Sequence, residues 1–252
     1  MAGFGKSTVM LFLRHGAKVI IADIQDDLGQ SIYENQEDVT YVHCNVITSD
    51  TDMKNMIDIA MSKYGTLAIM FNNAGVGDNM DPTILGSDNE NFKKVFDINV
   101  YGAFLGAKHA ARFMIPAKKG VIIFTSSATS VTSCGLPHAY TMSKHALVGL
   151  TKNLYVELGQ YGIIVNCISP FAISTPLLTS SLGLEKSKLD GLICDSGNLK
   201  GVVPKEDNVA EAVLFLVNEG SKFVSGLNLV VDGGYSTTNP SFTMVTKDLI
   251  SG

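Results

Sequence analysis

Short apolar segments alternate with stretches of helical periodicity along most of the chain. Each apolar segment has the length of a buried strand, and the predicted strands are residues 17–22, 39–44, 67–71, 121–125, 163–169 and 227–231. Strands that alternate with helices form a parallel sheet with helices on both faces. We therefore expect one α/β domain over residues 1–252, with a doubly wound, mostly parallel sheet.

Longer stretches with helical spacing lie at residues 6–15, 92–115 and 139–160. Two others are loosely specified: residues 179–201, which are rich in serine, glycine, lysine and leucine, and the C-terminal tail, residues 236–252. We expect 179–201 to form a mobile lid over a substrate. No internal repeat or change of composition divides the chain.

The composition is that of a folded enzyme. Hydrophobic residues make up 46% of the 252 residues and charged residues 17%, which excludes a disordered chain. The net charge of −5 argues against nucleic acid or an anionic membrane as the main partner, since both attract basic proteins. The sequence has neither a spanning apolar run nor a signal peptide, so we expect a cytoplasmic protein.

The cysteines and histidines lack the spacing of metal ligands. The four cysteines are Cys44, Cys134, Cys167 and Cys194. Because they are scattered, we expect reduced thiols rather than a zinc site or a redox pair. His138 and His145 could share a helix face, but the sequence offers no third ligand. We expect no metal ion.

Candidate proton-transfer chemistry lies near the middle of the chain. Tyr140 and Lys144 are four residues apart, so on a helix they share a face. A neighbouring ammonium favours the phenolate form of a tyrosine, which makes that tyrosine usable as an acid or base. The pair alone is a weak signal, because the same spacing occurs by chance on solvated helix faces. Ser127 supplies a hydroxyl shortly before it.

Further polar residues accompany this pair in a fixed order. The strand at 67–71 stops at Asn72-Asn73-Ala74-Gly75, and Asn99 interrupts an apolar helical pattern. Together with Ser127 and the Tyr140/Lys144 pair, this order resembles the short-chain dehydrogenase/reductase family, and the resemblance covers nearly the whole chain. It implies hydride transfer between a nicotinamide cofactor and an alcohol or ketone.

The resemblance implies roles for four catalytic residues. Tyr140 would be the general base that takes the alcohol proton, and the acid in the reverse direction. Lys144 would bind the nicotinamide ribose and make the tyrosine more acidic. Ser127, rather than Ser126, would orient the substrate oxygen. Asn99 would hold a water on the proton path, with a helix-kink amide as its structural alternative.

The amino end looks like the last part of a dinucleotide-binding turn. Gly3, Phe4 and Gly5 precede a helical run, which would bring backbone N–H groups and the positive helix end to a pyrophosphate. Asp23 closes the next strand, where a carboxylate can bind the adenosine ribose and would repel a 2′-phosphate. With Ile24 beside it instead of an arginine, this position favours NAD over NADP.

The resemblance places further cofactor contacts at the other strand ends. They are Asn45, Val46, Asn73, Ala74, Gly75, Pro170, Ile173 and Thr175, together with Tyr140 and Lys144. Asn45 stands where an aspartate is usual, which leaves adenine recognition feasible. Phe171 stands where a glycine is common, and would add an aromatic wall near the nicotinamide ring.

Before the glycine turn, members of the family carry an apolar strand and a Thr-Gly pair, whereas here only Met1 and Ala2 precede Gly3. That strand would lie at the centre of the sheet. The resemblance therefore predicts that the N-terminal strand is missing and that its two neighbours lack partners. We expect a fragment or an alternative gene product that binds its cofactor weakly, unless the fold compensates.

Two other functions stay open. Gly5-Lys6-Ser7 matches the end of a phosphate-binding P-loop, which would imply a magnesium-dependent nucleoside triphosphatase, although no magnesium-binding carboxylate follows in a suitable context. The missing strand favours instead a catalytically silent cofactor-binding or interaction protein. Hydrolysis of ATP and NAD-dependent oxidation of an alcohol would discriminate among these functions.

The chain also resembles the plant secondary-metabolism branch of the family, which contains borneol and secoisolariciresinol dehydrogenases. The residues that carry this resemblance are Phe171, His138-Ala139-Tyr140 and Ser143-Lys144-His145-Ala146. The candidate substrate contacts are Ser127, Val131, Leu136, Phe171, Leu177, Leu178 and Leu182. They are mostly apolar and include no basic group, so we expect a hydrophobic secondary alcohol. A terpenoid such as borneol ranks ahead of a lignan or xanthoxin-like alcohol. The alternative for several of these side chains is a place in the core.

The resemblance also implies a homotetramer. The helices at 92–115 and 139–160 would form a four-helix interface between two subunits. Residues 226–235 would form the second interface. The composition by itself does not indicate this assembly.

Overall fold

The computed structural model describes residues 3–27, 29, 36–45, 50–79, 81, 83–133, 135–175, 178–179 and 182–238. Its strands are β1 (Val19–Asp23), β2 (Val39–His43), β3 (Ile69–Asn72), β4 (Gly120–Thr125), β5 (Ile163–Pro170) and β6 (Asn228–Val231). Its helices are α1 (Phe4–Arg14), α2 (Asp50–Tyr64), α3 (Asn89–Phe96), α4 (Gly102–Ala117), α5 (His138–Leu158), α6 (Lys186–Ser196) and α7 (Glu206–Val217). A π-helical turn at Asp97–Tyr101 joins α3 to α4.

The described strands run parallel in two sheets. β1 pairs with β2, and β3, β4, β5 and β6 form the second sheet in that order. The predicted strands and the parallel α/β architecture are therefore confirmed. β1 begins at Val19 rather than at residue 17, because Gly16 has a φ of 76° and the Ala17 N–H still bonds the Phe12 carbonyl at the end of α1.

The sheet is interrupted where the sequence predicts a missing central strand. Within the described residues, no strand lies between β1 and β3, and each of these strands pairs with a neighbour on one side only. In a continuous doubly wound sheet, one strand would bridge this interval. Two open strand edges therefore border the interruption.

Helices cover both faces of the larger sheet, and β4 shows how. Ile122 and Phe124 belong to a core shared with α2, α4 and α5, whereas Ile123 belongs to a second core with Val209 and Val213 of α7. Successive side chains of a strand point to opposite faces, so this alternation decides which helices lie on which side. The layers hold the carboxyl ends of β3, β4 and β5 at one edge.

The sequence predicts one continuous helix over 92–115. The structure instead divides this region into α3, the π-helical turn and α4. The hydrophobic pattern continues through this region and gives no sign of the wider turn. Asn99 lies inside the turn, and its amide bonds to the Val76 backbone N–H (2.8 Å) and carbonyl (3.1 Å), which holds the turn in place. The helix predicted over 139–160 corresponds to α5.

The loosely specified stretch 179–201 contains α6, whose Leu189 and Ile193 are buried. Its role as a substrate lid stays a prediction. The tail is described only as far as residue 238, where a 3-10 turn at Tyr235–Thr237 follows β6. Of the helices in the described ranges, none is both long and apolar enough to cross a bilayer.

We expect Gly106→Ala to destabilise the fold, because α4 approaches β3 closely at this position. A Cβ on Gly106 would lie 2.6 Å from Met70 Cε and closer still to Asn72 Oδ1. The free energy of unfolding should fall by about 1–3 kcal/mol in urea denaturation. Gly191→Ala in α6 is the control, since a Cβ there meets nothing within 4 Å, and it should be neutral or slightly stabilising. An equal loss in both variants would contradict the close approach.

Candidate active site

Two serines follow the carboxyl end of β4, and their hydroxyls differ in what they bind. Ser126 is buried and donates its hydroxyl proton to the Lys144 carbonyl oxygen, 2.7 Å away. Ser127 Oγ accepts a bond from the Thr129 N–H at 3.3 Å, and in the described part of the chain its own proton has no acceptor. Ser126 is thus committed to α5, whereas Ser127 can still donate to a ligand. This supports the predicted preference for Ser127.

Tyr140 and Lys144 lie on successive turns of α5 and face each other. Lys144 Nζ is 5.5 Å from the centroid of the Tyr140 ring. The tyrosine is half-buried, and the lysine side chain is only 4% exposed. The four-residue spacing therefore brings the phenol and the ammonium together on one helix face, as the sequence predicts.

The ammonium of Lys144 joins α5 to β4. Its Nζ donates a hydrogen bond of 2.9 Å to the carbonyl oxygen of Thr125, the last residue of the strand. Burial lowers the pKa of Lys144 from 10.5 to about 8, because the charged form loses its hydration. The lysine can therefore exchange a proton close to neutral pH.

The Asn99 side chain connects the loop after β3 to α5. Beyond its two bonds to Val76, its Nδ2 donates to the Ser143 hydroxyl at 3.0 Å. Ser143 in turn donates to the Tyr140 carbonyl at 2.7 Å. The helix-kink alternative for Asn99 fits this geometry. Its predicted role in holding a water stays a prediction.

Asp78 is a site residue that the sequence pattern does not reveal. Its Oδ2 accepts the Tyr140 backbone N–H at 3.2 Å, and its Oδ1 accepts a bond from the Asn91 side chain. Since α5 starts after Pro137 without a side-chain cap from that residue, the Asp78 carboxylate satisfies an N–H of the first turn. The two residues lie 62 positions apart, so the one sequence signal is an acidic residue soon after a strand end.

The residues predicted to hold the phosphates and the adenosine ribose lie at the start of α1 and the end of β1. Gly3 has a φ of 58°, and α1 begins directly after it at Phe4 and includes Gly5. A Cβ on Gly3 would lie 3.2 Å from Thr175 Cγ2, so the turn packs against a residue predicted to contact the nicotinamide. The first turn of α1 carries no acidic residue, which leaves its N–H groups suited to an anion.

The end of β1 is acidic. Asp23 Oδ1 accepts the Gln25 N–H at 3.0 Å, and Ile24 is exposed. Nearby, Asp26 accepts hydrogen bonds of 2.8 Å from His43 and from the Tyr41 hydroxyl, and these bonds lower the pKa of Asp26. These hydrogen bonds therefore favour the ionised form of the Asp26 carboxylate, close to the residue predicted to bind the adenosine ribose.

At the end of β3, Asn73 and Gly75 lie close to the proposed catalytic residues. Asn73 Oδ1 accepts a bond of 2.9 Å from the Thr125 hydroxyl. A Cβ on Gly75 would lie 3.3 Å from Asn99 Oδ1 and 3.4 Å from Lys144 Nζ. Ala74, between them, is exposed. This loop thus combines a tight approach to Lys144 with an open outer surface.

The structure also describes four other residues that are predicted to contact the cofactor: Asn45, Pro170, Ile173 and Thr175. The Asn45 N–H donates to the Asp52 carboxylate at 3.3 Å, and Val46 lies outside the described residues. Pro170 ends β5, and Ile173 and Thr175 are buried in the segment that follows. Ile173 packs in the core with α7.

Most of the predicted substrate residues lie within the described part of the chain. Phe171 packs against Tyr235, with 4.4 Å between the ring centroids and 32° between the ring planes, and the sequence did not suggest Tyr235 as its neighbour. Val131 and Leu182 are exposed, whereas Leu136 and Leu178 are half-buried. Leu177 lies outside the described residues. Their common role in holding a substrate stays a prediction.

Across the described ranges, no group of three or more histidine, cysteine, aspartate or glutamate side chains could hold a metal ion. Cys44 and Cys167 are buried free thiols, and burial raises the pKa of each to about 11. Cys194 is half-buried and also free. Cys134 lies outside the described residues. The buried thiols are therefore unreactive at neutral pH.

Residues 1–236 match the family model described as enoyl-(acyl carrier protein) reductase. The chain is 54% identical to short chain aldehyde dehydrogenase 1 of Euphorbia lathyris, over 96% of this chain and 87% of that protein. It is 48% identical to secoisolariciresinol dehydrogenase of Forsythia intermedia and to (+)-borneol dehydrogenase 2 of Salvia officinalis, in each case over 94% of this chain and 87% of the relative.

Two solved structures of similar shape contain nicotinamide nucleotides. ElxO with NADP bound has a TM-score of 0.84 and 26% identity, and the match covers 94% of this chain and 96% of that one. A 3-ketoacyl-(acyl-carrier-protein) reductase from Brucella melitensis, complexed with NADH, has a TM-score of 0.83 and 28% identity, over 93% of this chain and 94% of that one.

We expect the burial of Lys144 to make stability depend on pH. Its pKa is about 8 in the fold and 10.5 in the unfolded chain, so the unfolded state binds more protons between these values and the free energy of unfolding rises with pH there. Relative to Lys144→Met, the total gain should be about 3 kcal/mol, and it should accumulate mainly between about pH 8 and pH 10.5, at no more than about 1.4 kcal/mol per pH unit. Urea denaturation of both proteins across this range measures it. A pH-independent difference between them would contradict the burial of a titrating lysine.

Proposed function

The chain belongs to the short-chain dehydrogenase/reductase family of oxidoreductases, and from that premise we propose that it oxidises a hydrophobic secondary alcohol, such as borneol, with NAD. The observation that carries this proposal is the position of the Tyr140 ring over the buried Lys144 ammonium, at the strand end that also carries Ser127. A phenol, an ammonium and a free hydroxyl are the groups needed to move one proton from an alcohol oxygen.

In the proposed reaction, Tyr140 takes the proton from the alcohol oxygen and Ser127 donates a hydrogen bond to the same oxygen. Lys144 favours the ionised phenol by its charge and, with a pKa of about 8, passes the proton onward. A bound nicotinamide ring would supply the acceptor for the hydride that leaves the carbinol carbon. Loss of both a proton and a hydride converts the alcohol to a ketone.

The residues present fit a dinucleotide. The positive φ of Gly3 opens the start of α1 to a pyrophosphate, and Gly75 leaves room beside Lys144 that a side chain would narrow. One of the similar solved structures contains NADP and the other NADH, so the preference for NAD or NADP is argued from the residues at the end of β1. Asp23 and Asp26 lie there with no lysine or arginine between residues 19 and 27, which supports NAD.

Two features support a terpenoid as the substrate. The predicted substrate residues are mostly apolar, and Phe171 packs against the Tyr235 ring. Relatives are named as dehydrogenases of borneol and of the lignan secoisolariciresinol. Apolar pockets discriminate weakly between similar shapes. A lignan or xanthoxin-like alcohol is therefore the nearest alternative substrate.

The interrupted sheet supports a second candidate function. β1 and α1 carry the predicted ribose and phosphate residues, and β1 lacks a strand neighbour toward β3 in the described part of the chain. A chain whose nucleotide-binding elements are weakly supported could be a catalytically silent cofactor-binding or interaction protein. Turnover of an alcohol with NAD decides between the two candidates.

We also propose a cytoplasmic homotetramer. A groove of about 610 Å³ lies between the π-helical turn with α4 and the outer side of α5, and it is lined by Phe96, Val100, Tyr101, Phe104 and Leu150. Tyr101 and Phe104 are exposed although apolar. Such a surface is suited to a helical interface between subunits.

Tyr140→Phe should abolish most turnover, because the phenol oxygen is the proposed proton acceptor. We expect kcat/KM for borneol with NAD to fall by about 100- to 10,000-fold, followed by absorbance of the reduced nicotinamide. Tyr155→Phe removes the same atom from an exposed tyrosine on the same helix and should leave kcat/KM within about twofold. Equal activity of Tyr140→Phe and the parent chain would refute the assignment.

Asp23→Asn should weaken the preference for NAD, because it removes the charge that binds two ribose hydroxyls and repels a 2′-phosphate. The ratio of kcat/KM for NAD to that for NADP should fall by about 10- to 100-fold. Asp27→Asn removes an equal charge from an exposed position near the end of β1 and should change the ratio much less. A ratio unaffected by Asp23→Asn would show that another residue sets cofactor choice.

A further inference from the structure

Phe171 extends β5 by one residue at the carboxyl edge of the larger sheet. The Cys167 N–H donates to the Leu227 carbonyl at 2.9 Å and the Phe171 N–H donates to the Val231 carbonyl at 3.0 Å, so the pairing with β6 stays regular as far as Phe171. Alternate residues of a strand share a face. Since Cys167 belongs to the core that α5 covers, the Phe171 side chain lies on the α5 face of the sheet.

The turn that starts at Ser127 is fixed beside the same part of β5. Ser127 caps a 3-10 turn at Ala128–Ser130. The Ser130 and Ser169 hydroxyls are buried 3.1 Å apart, and the Asn228 side chain bonds to both of them. Ser169 precedes Phe171 by two residues, which is about 7 Å along a strand. Phe171 therefore lies close to the turn that carries the proposed substrate-binding serine.

The Tyr235 ring covers Phe171 from the turn after β6. The ring centroids are 4.4 Å apart and the ring planes meet at 32°. Gly234 has a φ of 83°, and the Asp232 carboxylate accepts the N–H groups of Gly234 at 2.9 Å and of Ser236 at 2.7 Å. The turn is thus stabilised by its own hydrogen bonds, and it holds the tyrosine ring against the phenylalanine.

This pair of rings, Phe171 with Tyr235, is here called the aromatic wall. Both side chains are half-buried, so part of the wall remains open. Aromatic faces bury hydrocarbon well, and a few polar groups in an apolar site fix the orientation of a ligand. An aromatic wall close to the Ser127 turn is therefore suited to a small molecule that has one hydroxyl and an apolar skeleton.

We propose that Tyr235 is a specificity-determining residue: with Phe171 it forms the wall that packs against the substrate skeleton and favours a bulky cyclic alcohol over a small one. The inference rests on the proposed function and adds the residue that selects the skeleton. Tyr140 and Ser127 act on the oxygen that every alcohol carries, so they do not distinguish skeletons. The wall does, because a larger apolar skeleton buries more area against it. The nicotinamide ring is the competing occupant.

Binding of camphor, the ketone that corresponds to borneol, tests the wall without turnover, because NAD in its oxidised form cannot reduce a ketone. The full chain with saturating NAD is titrated with camphor in a calorimeter. We expect saturable binding that Tyr235→Ala weakens by about tenfold or more. Tyr235→Phe keeps the ring and should restore most of that loss. Tyr161→Ala removes an exposed ring from the turn before β5, at the opposite edge of the sheet, and should bind camphor as the parent does.

Turnover separates selection of the skeleton from general damage to the protein. In Tyr235→Ala, kcat/KM should fall by about tenfold or more with borneol and stay within about twofold with 2-butanol, and KM should change more than kcat. The affinity for NAD should be unchanged. Phe171→Ala removes the other ring of the wall and should give the same pattern, also if circular dichroism shows that Tyr235→Ala does not fold. The double variant should lose little more than either single variant, because the two rings act together.

Several outcomes would overturn the inference. Equal camphor binding by Tyr235→Ala and the parent chain would do so, as would the absence of saturable binding by the folded parent. A loss of NAD affinity with camphor affinity unchanged would show that the wall packs on the nicotinamide ring instead. Equal losses with borneol and 2-butanol would show that Tyr235 only supports the fold. Camphor binding that depends on Tyr235, without turnover of any alcohol, would support the inference and contradict the proposed function.

Discussion

The hydrogen bond from Lys144 Nζ to the Thr125 carbonyl is the contact on which the candidate site depends. It holds α5 against the end of β4 from inside the protein, where removal of an ammonium from water is costly and lowers the pKa of the lysine. Ser126 adds a second bond between the same two elements, to the Lys144 carbonyl. Tyr140 is thereby held over the ammonium by buried contacts rather than by a surface ion pair.

The interruption of the sheet lies between the residues proposed for proton transfer and the residue proposed to bind the adenosine ribose. Tyr140, Lys144 and Ser127 rest on β4 and α5, within the continuous sheet and its cores. Asp23 lies on the smaller two-stranded sheet, which contacts the rest of the molecule through helix packing and, among the described residues, has no strand pairing to β3. The geometry for proton transfer is therefore better supported than the geometry for holding the adenosine end of a cofactor.

The sequence predicts the fold well because the alternation of apolar strands and helices is local information. The Tyr140/Lys144 contact is equally local, since four residues make one helical turn. The contributions of Asn99 and Asp78 are not: the first depends on the Val76 backbone and the second on the N–H of Tyr140, each far away in sequence. The hydrophobic periodicity of the sequence does not predict such hydrogen bonds. The π-helical turn and the cap of α5 therefore emerge only from the three-dimensional structure.

The most direct test traces the hydrogen atom that leaves the carbinol carbon of the alcohol. Borneol deuterated at its carbinol carbon is incubated with the full chain and NAD, and the reduced nicotinamide is analysed by mass spectrometry. The account predicts deuterium in the reduced nicotinamide, ketone in equal amount, and loss of both in Tyr140→Phe. Failure to form ketone and reduced nicotinamide from borneol and from every other bulky apolar alcohol, by a folded chain that binds NAD, would contradict it, as would transfer that persists in Tyr140→Phe.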